Sequence, residues 1–348
     1  MDTNLAIPSA TPIASFLDEM DEKSQRDFAM HRQIDGMYIT SPRDTTLARE
    51  IGLMVTTTVA SLDTDRPEGR VLAVIGEPGA GKTWAIERAI GTLPHLETRL
   101  LSITAPSQCN LNQLGRTILA KLGYTLKREV KEHIVWEMVR DKLPEHGIRF
   151  LWIDELQHVF RHMNPGELQR ISDTIKSLAQ RRQWPLGIIM SGLPVLSSLL
   201  KMDRQIERRS HTLTFGRLNF PDHVGHIRHL LTTVIEKHAG LKLDAVFQSD
   251  ELIHRFCHAT DGTFGVIISM TRQAVFVAID RENFDGTVRV ADFAVAYARE
   301  RDCLPSQNVL TADKWHEIVP ANSRLRDEGN TPATSPTTPA KRGASGRK

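Results

Sequence analysis

The chain has 348 residues, of which 40% are hydrophobic and 25% are charged, and its formal net charge is +2. This composition is ordinary for a soluble globular protein of one large or two medium domains. The charge is too mild to predict nucleic-acid binding by itself. The three cysteines form no CxxC pair, which argues against a disulfide framework and against a cysteine zinc site.

No stretch of about 18 apolar residues is present, so the sequence predicts no membrane span and no membrane partner. The first residues lack a basic region followed by an apolar stretch, which argues against a signal peptide. Together with the isolated cysteines, these features predict a cytoplasmic protein.

The first 65 residues are predicted to be helical and extended. A short helix is expected over Pro12–Arg32, and an extended stretch follows over Met37–Pro42. Apolar residues recur at helical spacing over Arg43–Ala60, which predicts an amphipathic helix.

From Arg70 onward the pattern alternates between apolar strands and helices. Four apolar runs predict strands: Val71–Ile75, Arg99–Ile103, Arg149–Ile153 and Leu186–Met190. The first is expected to be buried on both faces of the sheet, and the third is also expected to be a buried strand. Helices are predicted in between, from Lys82 and over Leu111–Leu122, Glu129–Leu143 and Gly166–Arg181. Repeated strand–helix units predict an α/β fold with a central parallel sheet sandwiched by helices.

After Pro221 the pattern is helical, which predicts a small all-helical lid domain. Its helices are expected over Asp222–His238, Ser249–Thr260, Phe264–Ile279 and Ala291–Glu300. From about residue 330 the chain is rich in Thr, Pro and Ala and ends in basic residues, which predicts a disordered tail. The predicted domains are an N-terminal segment (1–65), a nucleotide-binding domain (66–218), the lid (219–303) and a C-terminal extension (304–348).

A glycine-rich loop follows the first predicted strand and precedes a helix. Gly76 to Thr83 match the pattern G-x-x-x-x-G-K-[ST], in which backbone amides and a helix N-terminus surround phosphates. In this pattern Lys82 reaches the β- and γ-phosphates of ATP, and the Thr83 hydroxyl binds Mg²⁺. The predicted nucleotide-binding residues are Gly76, Glu77, Pro78, Gly79, Ala80, Gly81, Lys82, Thr83 and Trp84.

Two acids end the third predicted strand. We expect Asp154 to bind Mg²⁺ and Glu155 to polarise the attacking water, the parts that an ATPase needs beyond nucleotide binding. Two acids that begin a helix are the alternative. A strand between the two motifs along the chain predicts the class of P-loop ATPases that has an inserted strand and a catalytic glutamate.

Two further elements follow along the chain. Ser191 ends the fourth strand, where a polar side chain either senses the γ-phosphate or only forms a turn with Gly192. Arg208 and Arg209 belong to a charged segment that is either a solvated face or the source of an arginine finger for a neighbouring subunit.

Several stretches together resemble the TniB/TnsC-like AAA+ ATPases of transposition and, more distantly, the MuB and IstB proteins. The resemblance spans roughly residues 37–279. Besides the two motifs above, it is carried by the segment after the second strand, by the acidic signature, by the turn and arginine segment and by the lid turn: 103–124, 154–158, 185–209 and 261–265.

This resemblance implies an ATPase that assembles on double-stranded DNA as an ATP-dependent homo-oligomer, selects the target and activates a transposase. It also implies that Arg208 or Arg209 acts in trans, and the later position of Arg209 favours that residue. The basic cluster Lys121, Lys127, Arg128 and Lys131 is either a DNA contact or a solvated face. The rival functions are a protein-remodelling or replication-loader ATPase and a non-catalytic nucleotide switch.

One departure from the common AAA+ pattern concerns the lid. Many AAA+ lids carry an arginine soon after a Gly-x-x turn, whereas this chain has Gly262–Gly265 there and Arg272 is the first arginine downstream. Sensing of the nucleotide by the lid is therefore in question. Met37–Pro42 is expected either to line the adenine pocket or to use Tyr38 for core packing.

Overall fold

A five-stranded parallel sheet organises the first two thirds of the chain in the computed structural model, which describes residues 19–107, 109–159 and 165–320. The spatial order is β2-β3-β4-β1-β5, and every neighbouring pair is parallel. The strands are β1 (Val71–Gly76), β2 (Leu100–Thr104), β3 (Phe150–Asp154), β4 (Gly187–Gly192) and β5 (Ser210–Phe215).

The helices between and after these strands follow the predicted periodicity. They are α1 (Glu22–Asp35), α2 (Pro42–Ser61), α3 (Lys82–Gly91), α4 (Leu111–Lys121), α5 (Glu132–Glu145), α6 (Pro165–Ala179), α7 (Leu196–Met202), α8 (Arg204–Glu207), α9 (Val224–Thr232), α10 (Asp250–Ala259), α11 (Phe264–Ile279) and α12 (Val290–Arg301). The predicted α/β fold with a helical region after it is confirmed.

Strand β4 lies between β1 and β3, and the register pairs Ile75 with Gly192 and Ile153 with Met190. A strand is thus inserted between β1 and β3, as predicted, but the inserted strand is β4 and not the predicted strand Arg99–Ile103. Strand β2, which separates the two motifs along the chain, lies at the edge of the sheet. Because β4 lies between β1 and β3, the carboxyl ends of these three strands lie side by side.

Successive side chains of β1 point to opposite faces of the sheet and pack into two different cores. Ala73 and Ile75 belong to a core formed with α4, α5, α6 and α7, and Leu72 and Val74 belong to a core formed with α2 and α3. A strand buried on both faces reads as a continuous apolar run, as this one does.

The helical region has a core of its own, built mainly from α9 to α12. Ile34 and Ile39 of the N-terminal segment are buried in this core, and so are Val309 and Leu310 after α12. The predicted N-terminal and C-terminal segments therefore both contribute apolar side chains to the helical region.

Several elements differ from the predictions. The first helix begins at Glu22, after the N-cap Asp21, and part of its predicted range lies outside the described residues. The predicted helix over Asp222–His238 becomes a π-helix at Thr233. Three strands were missed: β5 and the short parallel pair β6 (Lys242–Leu243) and β7 (Thr287–Val288). The tail from residue 330 lies outside the described residues.

Within the described ranges, no single helix is long and apolar enough to cross a membrane. Helices α10 and α11 meet the length and composition test only as a pair, and this pair is bent by 107°.

Candidate active site

The glycine-rich loop leaves the buried end of β1 and leads directly into α3. Gly79 and Gly81 have φ angles of +74° and +85°, a left-handed conformation that glycine adopts without steric cost. Helix α3 begins at Lys82, so its first backbone N–H groups, which have no partner inside the helix, lie next to the loop. The loop therefore has the geometry of an anion-binding site.

Lys82 is only 6% exposed, and its ammonium group lies inside the loop. Its Nζ donates to the carbonyl oxygens of Gly76 at 2.9 Å and Glu77 at 3.1 Å. Burial lowers the pKa of Lys82, and the nearby carboxylates, chiefly those of Glu155 and Asp154, oppose that shift. The arrangement places a cation where a phosphate chain would enter the loop.

The Asp154 carboxylate at the end of β3 is 5% exposed and fully engaged. Thr83 Oγ1 donates to its Oδ2 at 2.8 Å, and Ser191 Oγ donates to its Oδ1 at 2.5 Å. Ser191 in turn accepts a hydrogen bond from the Trp152 indole N–H at 2.8 Å. Strand ends β3 and β4 and the start of α3 thus bring Thr83, Asp154 and Ser191 together, and Ser191 holds the carboxylate in place.

Thr83 and Asp154 present a hydroxyl and a carboxylate oxygen side by side, which are the donors that Mg²⁺ prefers. The described residues contain no group of three or more His, Cys, Asp or Glu side chains that could hold a metal alone. This matches the usual habit of Mg²⁺, which takes one or two protein ligands and completes its shell with water and substrate phosphates. The residues present therefore fit this ion.

Glu155 follows Asp154 in an unusual backbone conformation. Its φ is +54°, and its backbone N–H donates to Asp154 Oδ1 at 2.9 Å. A non-glycine residue in the left-handed region costs conformational energy and marks functional sites. The Glu155 side chain is 38% exposed, so its carboxylate lies beside the buried Asp154 yet remains open to water.

A cavity of about 440 Å³ lies beside the loop, between the N-terminal segment and α11. Ala80 and Gly81 form one wall, and Trp84, 63% exposed, lies at its border. Tyr38 lines the opposite side, donates its hydroxyl to Asp44 at 2.7 Å and packs its ring under Arg88. Tyr38 therefore lines this cavity and is also held in place by its contacts with Asp44 and Arg88.

Arg43 lines the same cavity with unused hydrogen-bonding capacity. Its guanidinium lies over the rings of Phe264 and Phe215, at 4.4 and 5.0 Å from the centroids, and its Nη1 donates to Gly216 at 3.2 Å. Its Nε and Nη2 are buried and have no partner among the described residues. Burial lowers the pKa of Arg43. Such orphaned donors fit a ligand that offers acceptor atoms.

The start of α11 packs directly on the glycine-rich loop. The Gly265 N–H donates to the Gly79 carbonyl at 2.8 Å, and a Cβ at Gly265 would lie 2.2 Å from that oxygen. The lid turn therefore has no room for a side chain at this position. Arg272 also lines the cavity. It donates a hydrogen bond to the Met37 carbonyl oxygen at 2.8 Å and lies 3.7 Å from Asp35.

Arg208 and Arg209 lie just before β5, at the amino ends of the strands, whereas the glycine-rich loop lies at their carboxyl ends. Arg209 forms an ion pair with Glu68 at 2.7 Å, whereas the Arg208 side chain is exposed and has no hydrogen-bond or ion-pair partner among the described residues. Because β5 pairs with β1 from Ser210 onward, both arginines are a full strand length away from the loop of the same chain.

The parallel sheet with an inserted β4, the phosphate loop after β1 and the helical region over that loop define the AAA+ P-loop fold. In sequence, residues 66–200 match the family model described as AAA domain. No functionally curated protein matches the chain in sequence.

Two solved structures share this fold. Cdc6p from Pyrobaculum aerophilum superposes with a TM-score of 0.56 and 14% identity, over 78% of this chain and 70% of that one. The Orc1 protein of Aeropyrum pernix, solved in complex with DNA, superposes with a TM-score of 0.52 and 16% identity, over 77% of this chain and 67% of that one. Likeness at these identities concerns the fold.

Sequence reasoning predicted the glycine-rich loop, Thr83, Asp154, Glu155 and Ser191, and the structure brings them together at one edge of the sheet. It did not predict Arg43, Gln157 or the contact of Gly265 with the loop. The only signal for Gly265 was the missing lid arginine, and Gln157 stood only within the stretch 154–158 that resembles the acidic signature of the family. Arg43 carried no signal.

Proposed function

We propose that this protein binds ATP and hydrolyses it to ADP and phosphate with Mg²⁺. The observation that carries the proposal is the 2.8 Å contact between the Thr83 hydroxyl and the buried Asp154 carboxylate, next to Lys82 inside the phosphate loop. A buried carboxylate beside a threonine and a lysine has no evident structural need, whereas phosphoryl transfer needs all three groups.

Different residues of the chain are proposed to bind the phosphates, to hold the metal ion and to activate the attacking water. The loop amides and Lys82 bind the phosphates, Thr83 and Asp154 hold Mg²⁺, and Glu155 orients the attacking water and accepts its proton. When bound, Mg²⁺ neutralises the charge that develops on the phosphate oxygens. Ser191 acts through Asp154, since its hydroxyl is used by that carboxylate and by the Trp152 indole.

The nucleoside of ATP is assigned to the 440 Å³ cavity that adjoins the loop. The cavity has aromatic walls and the two unpaired donors of Arg43, a combination that suits an aromatic base and its acceptor atoms. The same placement assigns Trp84 to the border of the site, where its fluorescence would report binding.

Hydrolysis is proposed to require a neighbouring copy of the chain. Arg208 and Arg209 precede the start of β5, a full strand length from the loop of the same chain, so neither can reach the developing phosphate charge of its own site. In a homo-oligomer the amino ends of the strands would meet the next subunit's loop. Arg208 is the better candidate for the finger, since Arg209 is already paired with Glu68. This revises the sequence-based preference for Arg209.

The wider role that we propose is regulation of transposition on double-stranded DNA, through target selection and transposase activation. It rests on the resemblance to the TniB/TnsC-like ATPases. The basic cluster of Lys121, Lys127, Arg128 and Lys131 is compatible with it, since all four side chains are exposed at and after the end of α4. Arg116 braces this segment through the carbonyl oxygens of Arg128 and Leu126, which keeps the cluster in place.

Two other functions share the same site. A replication-loader or protein-remodelling ATPase would use the same chemistry on another partner, and the fold likeness to Cdc6p and Orc1 is compatible with it. A non-catalytic switch would bind ATP without turnover, but the partly exposed Glu155 beside Asp154 favours hydrolysis.

The test is ATP hydrolysis by the purified protein with and without double-stranded DNA, at low and moderate salt, with Lys82→Ala as the blank. We expect turnover that DNA raises, that the variant loses and that accompanies larger assemblies. Because phosphate contacts release counterions, the DNA effect should weaken as salt rises. A turnover rate that DNA does not change would exclude the DNA-dependent role and favour a protein partner. Absence of Lys82-dependent turnover under every condition would contradict the ATPase proposal.

A further inference from the structure

Glu155 is held by a buried side chain that is neither part of the glycine-rich loop nor one of the two acids after β3. Gln157 lies in the 3₁₀ turn after β3 and is 6% exposed. Its Nε2 donates to Glu155 Oε2, and its Oε1 accepts the backbone N–H of Leu193 at 3.2 Å. The amide therefore bridges the carboxylate of Glu155 and the turn that follows β4.

The orientation of this amide is fixed by its partners. A carboxylate only accepts hydrogen bonds and a backbone N–H only donates them, so the amide nitrogen must face Glu155 and the amide oxygen must face Leu193. The flipped amide would place two acceptors against each other at Glu155 and two donors at Leu193. Both ends of the side chain are thus matched to their partners.

The turn after β4 is shaped to receive the amide. A Cβ on Gly192 would lie 2.2 Å from Gln157 Oε1, so any side chain at that position would displace the bridge. Gly192 has an ordinary strand conformation, since its φ is not among the positive values. A glycine is therefore needed here to leave space for Gln157, and not because the backbone has an unusual conformation.

The other neighbour of Glu155 does not replace this contact. His158 Nε2 is 3.9 Å from Glu155 Oε2, too far for a hydrogen bond, and its Nδ1 lies 3.1 Å from the Ala105 carbonyl oxygen. The Glu155 side chain is partly exposed, so packing alone does not hold its carboxylate in one direction.

We propose that Gln157 is a positioning residue for hydrolysis, which fixes the direction of the Glu155 carboxylate by connecting it to the end of β4. The inference rests on the proposed ATPase function. A water that attacks phosphorus must be held in line with the bond that breaks, so the direction of its base governs kcat. Nucleotide affinity should depend little on Gln157, because the loop and Lys82 bind the phosphates.

The experiment compares Gln157→Met and Gln157→Glu with the wild type in kcat, in the Kd for ATP and in thermal melting. The methionine has a similar length and makes neither hydrogen bond. The glutamate keeps an acceptor for Leu193 but turns a second carboxylate toward Glu155. We expect both variants to lower kcat at least about tenfold and to leave Kd within about twofold. If the methionine variant does not fold, the glutamate variant still tests the idea, because it keeps the shape and the Leu193 contact.

The matched control is Gln169, on the exposed face of α6, whose amide also donates to a carboxylate, that of Asp173, at 3.1 Å. The same two substitutions there should leave kcat unchanged. A double-variant cycle separates positioning from general loosening: in a Glu155→Gln background, Gln157→Met should slow turnover no further, because the two residues act as a unit.

Wild-type kcat in both Gln157 variants, or an equal loss of turnover in the Glu155→Gln background, would overturn the inference and leave the ATPase proposal intact. A wild-type protein without Lys82-dependent hydrolysis would contradict the ATPase proposal itself. The two failures are therefore distinguishable.

Discussion

The two ends of the parallel strands carry different parts of the proposed site. We call them the carboxyl edge, where the strands end, and the amino edge, where they begin. At the carboxyl edge, the ends of β1, β3 and β4 bring Lys82, Asp154 and Ser191 close together, and each of these side chains has a hydrogen-bond partner. At the amino edge, the Arg208 side chain has no hydrogen-bond or ion-pair partner among the described residues. The strand β5 separates the two edges by a distance on the order of 20 Å.

This difference shows which parts of the chemistry one molecule can supply. Side chains at the carboxyl edge are fixed by the same strands that form the core, so their geometry exists before any partner binds. An exposed arginine at the amino edge can stabilise a phosphate charge only if another molecule brings a phosphate to it. The comparison therefore predicts that changes at the two edges have separable effects.

The largest expected effect concerns the amino edge. Arg208→Ala should lower turnover of the assembled protein by about 10³-fold, the range of an arginine finger, and should leave ATP binding intact. Arg209→Ala should cost about 1 kcal/mol of stability or less, because its ion pair with Glu68 is partly exposed. Turnover and ATP titration measure the first effect, and thermal melting measures the second.

Mixing variants gives the sharper form of this test. Arg208→Ala and Glu155→Gln subunits should each be inactive alone, whereas a mixture should recover turnover, since one supplies the arginine and the other an intact Glu155 site. A mixture as inactive as its components, or equal hydrolysis by monomer and oligomer of the wild type, would show that the edges do not act in trans.

The next effect concerns the carboxyl edge alone. Glu155→Gln should retain ATP binding and lose turnover by about 10²-fold or more, because the amide cannot accept the proton of water. ATP titration followed by Trp84 fluorescence, together with single-turnover hydrolysis, separates the two properties. Slow turnover equal to that of the wild type would favour the non-catalytic switch.

The smallest expected effect concerns the lid contact at the carboxyl edge. Gly265→Ala places a methyl group 2.2 Å from the Gly79 carbonyl oxygen and should push the start of α11 off the loop. The lost hydrogen bond corresponds to about 1 kcal/mol, or roughly a fivefold weaker ATP affinity.

Gly52→Ala is the control for that variant. Gly52 lies inside α2, and no described residue outside its own helix turn comes within 4 Å of the position that a methyl group would take. Alanine should therefore stabilise the helix by up to about 1 kcal/mol and leave ATP affinity unchanged. Equal ATP affinity of Gly265→Ala and wild type would mean that the lid contact plays no part in binding.

The sequence by itself determined the elements whose burial is uniform. Every residue of β1 is buried, and so is every residue of β3 and β4, so each appears as an apolar run. Strand β5 was missed because its residues are exposed or half-buried until Phe215, so no apolar run indicates it. The glycine-rich loop and the acids after β3 could be predicted since their chemistry depends on neighbours in sequence.

Contacts between distant segments were decided only by the tertiary structure. Gln157 lies two residues after Glu155, but it meets Leu193 only because β3 and β4 are adjacent in space, and nothing local in the sequence shows that adjacency. Likewise, Gly265 lacks room for a side chain only because the P-loop lies against it. The physical reason is that periodicity and spacing record what a residue does within its own element, whereas the partner of a side chain depends on how the elements pack.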